Sequence, residues 1–322
     1  MKASKILCSL TIALFASGLG AQSYPDRPVR FIVGYSPGGG TDLTARIVAE
    51  RLAPKLGQPV LVENRPGAGS NIAGAFVAKS APDGYTLFAA AGGIAVNATL
   101  YASNMNYDPL KDLAPVAALT ILPNVLTTNA QLPVQSLSDL VAYAKANPAN
   151  TACASSSVGS TGHLSCELFN QRAGTRILHV PYKGSADAIG ALLSGQVQVV
   201  FDQIPTPLPH IKSGRLRAVV LTGPNRNANL PGVPTTDESG MPGFYANTWV
   251  ALFAPAGTPS GVIGRLNQEI EAILAQADVR ERFAGMGMEA AGGSPAKLSE
   301  TLSTDVAKWA KVIKEADIRV AK

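Results

Sequence analysis

Five times along this chain a short apolar run gives way to a loop of small and hydroxylated residues, and that repeat restricts the fold to the α/β class. Residues 29–34 read as a buried strand leading into Ser36-Pro37-Gly38-Gly39-Gly40. The spacing predicts a helix from Thr41, its expected N-cap, with Leu43, Ile47, Val48 and Leu52 on one face and Pro54 and Gly57 ending it. Residues 60–62 form the next strand and 64–70 a second glycine-rich loop, which opens a helix through Lys79. Pro82-Asp83-Gly84 then turns into a strand at 85–89, followed by Ala91-Gly92-Gly93. Continuous apolar strands alternating with helices predict largely parallel sheets covered on both faces.

A second set of repeats follows an extended apolar passage at 115–129. Helices are expected at 137–146, 163–172 and 187–193, with strands through Ala152 and at 177–180, 197–201 and 216–221. Another extended passage, 244–255, precedes two amphipathic helices that open on Thr258-Pro259 and Ser294-Pro295, where proline at the first helical position is pre-shaped for the turn. Two extended passages bracketing a middle block describe one lobe interrupted by another. Lobe 1 is expected at 22–122 and 249–322, and lobe 2 at 123–248.

Ahead of the first repeat, Lys2 and Lys5 precede an apolar run at 6–15 and small residues as far as Ala21. This is the pattern of a signal peptide, residues 1–21, and it predicts export. The run is short for a membrane span, and no later one reaches spanning length. Cys8 lies inside the run, away from the expected cleavage point, which argues against a lipid anchor. The formal charge of +5 includes Lys2 and Lys5, leaving about +3 spread thinly over the rest of the chain. Without basic–aromatic clusters, nucleic acid is excluded as a partner, whereas anionic solutes suit the balance.

Open α/β sheets hold ligands outside the carboxyl ends of their strands, where loops enter helices. Here those loops, at 36–42, 66–71, 91–97, 155–163 and 182–185, are all rich in glycine or hydroxyls. Glycine permits close backbone approach, and free N–H groups at a helix start attract an anion. Gly38 to Gly40 also fits a plain strand–helix turn, and neither GxGxxG nor a Walker loop occurs, which disfavours nucleotides. Asp42 reads as a first-turn acid offsetting the helix dipole, and it would oppose an anion beside it. Lys183 is either a solvated loop residue or a counter-charge, and His163 either a packing or capping residue or a contact. Asp202, ending an apolar strand, is a hinge, ligand or capping residue.

The motifs of chemistry are absent: no GxSxG, no HExxH, no paired acids. The rival enzymatic reading is an exported hydrolase that uses the serines at 155–160, with His163 the nearest base in sequence. No CxxC occurs and His163, His179 and His210 are scattered, so neither a metal nor a cofactor is expected. Cys153 and Cys166 either close one disulfide or stand as free thiols, and spacing alone does not choose.

Tyr24-Pro25-Asp26-Arg27-Pro28 and Pro37-Gly38-Gly39-Gly40-Thr41-Asp42 together resemble the solute-binding proteins of the tripartite tricarboxylate transporter family, the Bug-type proteins. Val62-Glu63-Asn64-Arg65-Pro66-Gly67-Ala68-Gly69, Pro82-Asp83-Gly84-Tyr85-Thr86-Leu87, and His163-Leu164 with Glu167-Leu168-Phe169 extend the match in order. So do Val180-Pro181-Tyr182-Lys183-Gly184, Gly195-Gln196-Val197 with Phe201-Asp202, and Ala254-Pro255-Ala256-Gly257-Thr258-Pro259. The resemblance covers essentially the whole mature chain. It implies a type II periplasmic-binding-protein fold: two lobes with mostly parallel sheets joined by two extended crossovers. It also implies a periplasmic monomer that closes like a Venus flytrap on a small carboxylate. The partner implied is a membrane transporter of the tripartite tricarboxylate type, or in some members a membrane sensor. By position, the ligand-binding residues would be Tyr35, Ser36, Gly38, Gly39, Gly40, Thr41, Asn71, Gly92 and Gly93 from lobe 1. Lobe 2 would supply Ser160, Thr161, His163, Tyr182, Lys183, Gly184 and Asp202. The third loop, at 89–97, is apolar where many relatives carry Ser or Thr, which points to a ligand with a less polar far end.

Overall fold

A computed structural model describes residues 24–315 together with Ile318 and Arg319, so the expected signal peptide lies outside the described residues. In chain order, β1 (Val29–Val33), α1 (Gly40–Leu56), β2 (Val60–Asn64), α2 (Asn71–Ala78), β3 (Thr86–Ala91), α3 (Gly93–Leu100) and β4 (Leu113–Leu122) build most of the first lobe. The second is built by β5 (Asn124–Asn129), α4 (Leu137–Ala146), β6 (Ala152–Ser155), α5 (Thr161–Ala173), β7 (Leu178–Pro181), α6 (Ser185–Leu193), β8 (Val199–Gln203), α7 (Leu208–Lys212) and β9 (Leu216–Leu221). The chain then returns through β10 (Thr248–Pro255), α8 (Ser260–Leu274), α9 (Ala277–Gly285), β11 (Glu289–Ala290) and α10 (Pro295–Glu315).

The first sheet runs in the order β11-β4-β10-β3-β1-β2 and the second β7-β6-β8-β5-β9. The strand–helix repeats pair in parallel, β1 with β2 and β3, and β6 with β7 and β8. The crossover strands do not. β10 lies antiparallel between β3 and β4, and β5 antiparallel between β8 and β9. Both sheets are therefore mixed where the repeats alone predict mostly parallel ones. A strand arriving from the other lobe has no helical crossover to reverse it, so it enters against its neighbours. Only Pro123 separates β4 from β5; proline lacks the N–H a continuous ladder needs, and its carbonyl accepts from the N–H of Ile204, just after β8, at 3.1 Å.

Period-two alternation divides the core of the first lobe between two faces. Phe31 and Leu87 pack with α1 and α8, while the neighbouring Ile32 and Phe88 pack with α2, α3 and α10. Phe31 and Phe88 are fully buried, which stabilises the lobe by about 2 kcal/mol each. Three local expectations fail. α8 starts at Ser260 with Pro259 as its cap, so this proline stands one position ahead of the first helical residue it was expected to occupy. α1 starts at Gly40 with Gly39 as its cap and no side-chain cap, while Thr41 is buried in the first turn. α3 forms where only a loop was expected: Gly93 to Asn97 are buried all round, so no apolar stripe marks the helix in the sequence.

Candidate ligand cleft

The glycine-rich loops of the two lobes meet at one seam. The Ser36 N–H donates to the Lys183 carbonyl at 3.1 Å, and a β-carbon on Gly184 would lie 2.8 Å from that of Ser36. Gly39, the cap of α1, also approaches Ser185, the first residue of α6: a β-carbon there would sit 3.3 Å from the Ser185 β-carbon. Gly93, which opens α3, would meet the Gly159 carbonyl at 3.3 Å and the Cα of Ser160, the cap of α5, at 3.9 Å. Four helix N-termini thus approach in facing pairs. Each end carries roughly half a positive charge, so the pairs repel one another and together favour an anion in the space beside the seam.

Beside the seam is a cavity of about 670 Å³, with Gly34, Tyr35, Ser70 and Tyr101 on one side and Ser157, Val158, Tyr182, Lys183 and Asp187 on the other. A small recess shares Tyr35 and adds Gly39, Gly40, Thr41, Ser156, Ser185 and Gln203. The buried Ser70 hydroxyl, Gln203 Oε1 and Asp202 Oδ2 have no hydrogen-bond partner among the described residues, whereas the Ser157 hydroxyl turns to the Tyr35 phenol. Asp202 Oδ1 accepts from the Ser185 hydroxyl at 2.8 Å, and burial pushes the carboxyl up to about 7. Asp42 behaves oppositely. Burial raises it, but bonds from Arg46, the Gly38 N–H and Asn64 outweigh burial and hold it below its ordinary value. Asp42 is therefore occupied in bracing the loop of Gly38.

Of the residues expected from sequence, Tyr35, Ser36, Gly38, Gly39, Gly40, Thr41, Gly93, Tyr182, Lys183 and Gly184 lie at the seam or line its cavities. The others turn inward. Asn71 Oδ1 accepts from Asn97 Nδ2 inside the first lobe, and Gly92 packs against Thr248 and Trp249. Ser160 caps α5, accepting from the His163 N–H at 3.2 Å, and Thr161 Oγ1 takes Asn124 Nδ2 at 3.1 Å. Asp202 stands behind Ser185. Ser70, Ser156, Ser157 and Ser185 fall within loops the sequence singled out, whereas Tyr101 and Gln203 do not. Tyr101 follows the unanticipated α3, and Gln203 ends a strand whose last residues read as core.

His163 lies on a second cavity, of about 610 Å³, together with Glu167 and His179. The ligand atoms of these three come within 4.8 Å of one another, the arrangement nearest to a metal site among the described residues. Their hydrogen bonds assign a different task. His163 Nδ1 accepts the Gly159 N–H at 3.2 Å, which leaves its proton on Nε2. Ser155 Oγ donates to the Ser157 carbonyl, so at 2.7 Å it accepts from His179 Nε2–H. Burial lowers His163 to about 4, and burial with the neighbouring His163 lowers His179 to about 3, so both rings are neutral at pH 7. They brace the loop between β6 and α5. That loop carries one more brace, a disulfide between Cys153 in β6 and Cys166 in α5, with Cα atoms 6.3 Å apart.

Two lobes on mixed sheets, two extended crossovers and a glycine-lined seam define a solute-binding protein of the periplasmic type. Residues 44–318 match the tripartite tricarboxylate transporter family receptor, TctC, and the chain belongs to that family. It is 39% identical to Protein BugT of Bordetella pertussis over 99% of this chain and 100% of that one. Its structure is similar to that of the periplasmic binding protein BugD, with a TM-score of 0.89 and 34% identity over 92% of this chain and 99% of that one. It is also similar to R. palustris Rpa4515 with adipate, with a TM-score of 0.89 and 37% identity over 92% of this chain and 99% of that one. Among the described residues no helix is long and apolar enough to cross a membrane.

Proposed function

We propose that this protein, exported by its N-terminal segment and acting as a monomer, captures a small carboxylate between its lobes and delivers it to the membrane subunits of a tripartite tricarboxylate-type transporter. The carrying observation is the facing of helix N-termini across the seam: α1 against α6 and α3 against α5. A carboxylate beside them turns a repulsion into attraction from both sides, so the anion favours the closed form. Burial favours the protonated form of Asp202, which lessens the negative charge behind Ser185 as pH falls below 7. The adipate in the solved relative supports the ligand class. The crossovers at 122/123 and 248/249 serve as the hinge between lobes.

The protein performs no chemistry on its ligand. Among the described residues the close serine–imidazole pair, Ser155 with His179, has its serine fully buried and is bonded the wrong way round for a nucleophile, since the serine accepts from the ring. Thermal unfolding against a panel of di-, tri-, aromatic and amino acids tests the reading. Above its Kd a true ligand raises the melting temperature with the logarithm of its concentration. A panel without any shift counts against carboxylate capture.

A further inference from the structure

The loop that brings Ser156, Ser157 and Val158 to the cleft lies inside a covalent ring. The Cys153–Cys166 disulfide spans thirteen residues, and both cysteines are about 1% exposed. His179 stands directly beside Cys153 in the β6–β7 ladder and reaches the same loop through Ser155. The Ser157 carbonyl is then held by Ser155 Oγ at 2.9 Å, Ser160 Oγ at 2.8 Å and the Ser160 N–H at 3.2 Å, while the Ser157 hydroxyl turns to the Tyr35 phenol of the other lobe. His163, stacked on His179 with ring centroids 4.1 Å apart, accepts the Gly159 N–H from the far side. Every bond of this set fixes the backbone of a loop whose Ser157 and Val158 line the cavity.

We propose that the disulfide, with His179, positions this loop for the ligand: it pre-organises Ser156 to Gly159 so that little freedom is lost on binding. The inference rests on the reading of the seam as the ligand cleft. A crosslink that only stabilises the fold lowers the melting temperature when removed but leaves the affinity of the folded protein unchanged, because nearly every molecule remains folded well below the transition. A positioning crosslink changes the affinity itself.

Calorimetric titration with adipate should therefore give a Kd weaker by roughly tenfold or more in Cys153→Ala/Cys166→Ala, measured far below its melting temperature. His179→Leu should weaken binding in the same way. His179→Gln, whose amide N–H can still donate to Ser155 Oγ, should recover most of the affinity. Amide hydrogen exchange reads the loop without any ligand: residues 156–160 should exchange faster in the alanine variant and in His179→Leu, with β1 and β3 unchanged. Parental affinity together with parental exchange in these variants would overturn the proposal. Should the unmodified protein take up no adipate, the ligand reading suffers, while the exchange pattern still decides the role of the ring.

Discussion

Asp202 and the two stacked histidines titrate in opposite senses. Burial lifts Asp202 to about 7 and brings His163 and His179 down to about 4 and about 3. A carboxyl with a raised native pKa contributes stability in full below about pH 4, and loses it as pH rises through 7. The imidazoles contribute fully above about pH 6.5, and lose it as pH falls through 4. Between about pH 4 and 6.5 the two slopes oppose each other. Melting temperatures across that range should vary less in the unmodified protein than in Asp202→Asn, which leaves only the loss on acidification. At pH 8 Asp202→Asn should be more stable by on the order of 2 kcal/mol, since it removes a buried charge. An Asn variant no more stable at pH 8 would mean that the carboxylate has a partner when ionised. The sequence left Asp202 open among hinge, ligand and cap because a strand-ending acid looks the same in each. His163 was equally ambiguous, and its partner His179 is sixteen positions away in sequence on a different element.

At the scale of elements, strand, glycine loop and helix were legible because their signals are local: apolar period, a proline at a helix start, a glycine at its end. Gly57 ends α1 in the left-handed region at φ 68°, as its position predicts. The antiparallel entry of β5 and β10 was not legible, since pairing direction depends on strands far away in sequence. The disulfide was left undecided for the same reason: whether β6 and α5 present their cysteines to each other is a property of packing. Its contribution to stability follows from loop closure. Removing a crosslink over thirteen residues should cost roughly 3 kcal/mol, read as a lower midpoint in urea for Cys153→Ala/Cys166→Ala with the m-value little changed. An unchanged midpoint would mean that the denatured chain gains nothing from the lost constraint.

For the whole molecule, closure depends on how near the two lobes can come. Gly184 has φ −179°, an extended backbone that any residue adopts, so its glycine is explained by the seam and not by the local turn. Its missing β-carbon leaves the room that Ser36 fills, with the Ser36 nitrogen 3.0 Å from where that atom would be. Gly184→Ala should therefore fold normally, keep its melting temperature without ligand to within a few degrees, and fail to close. Small-angle scattering should show the radius of gyration of the unmodified protein falling on addition of a carboxylate that raises its melting temperature, and that of the variant staying constant. The affinity should drop by about a hundredfold, because a ligand held by one lobe loses the second pair of helix ends that distinguishes the closed state from the open one. A variant that contracts and binds like the parent would place the closing surface elsewhere than at Ser36 and Gly184.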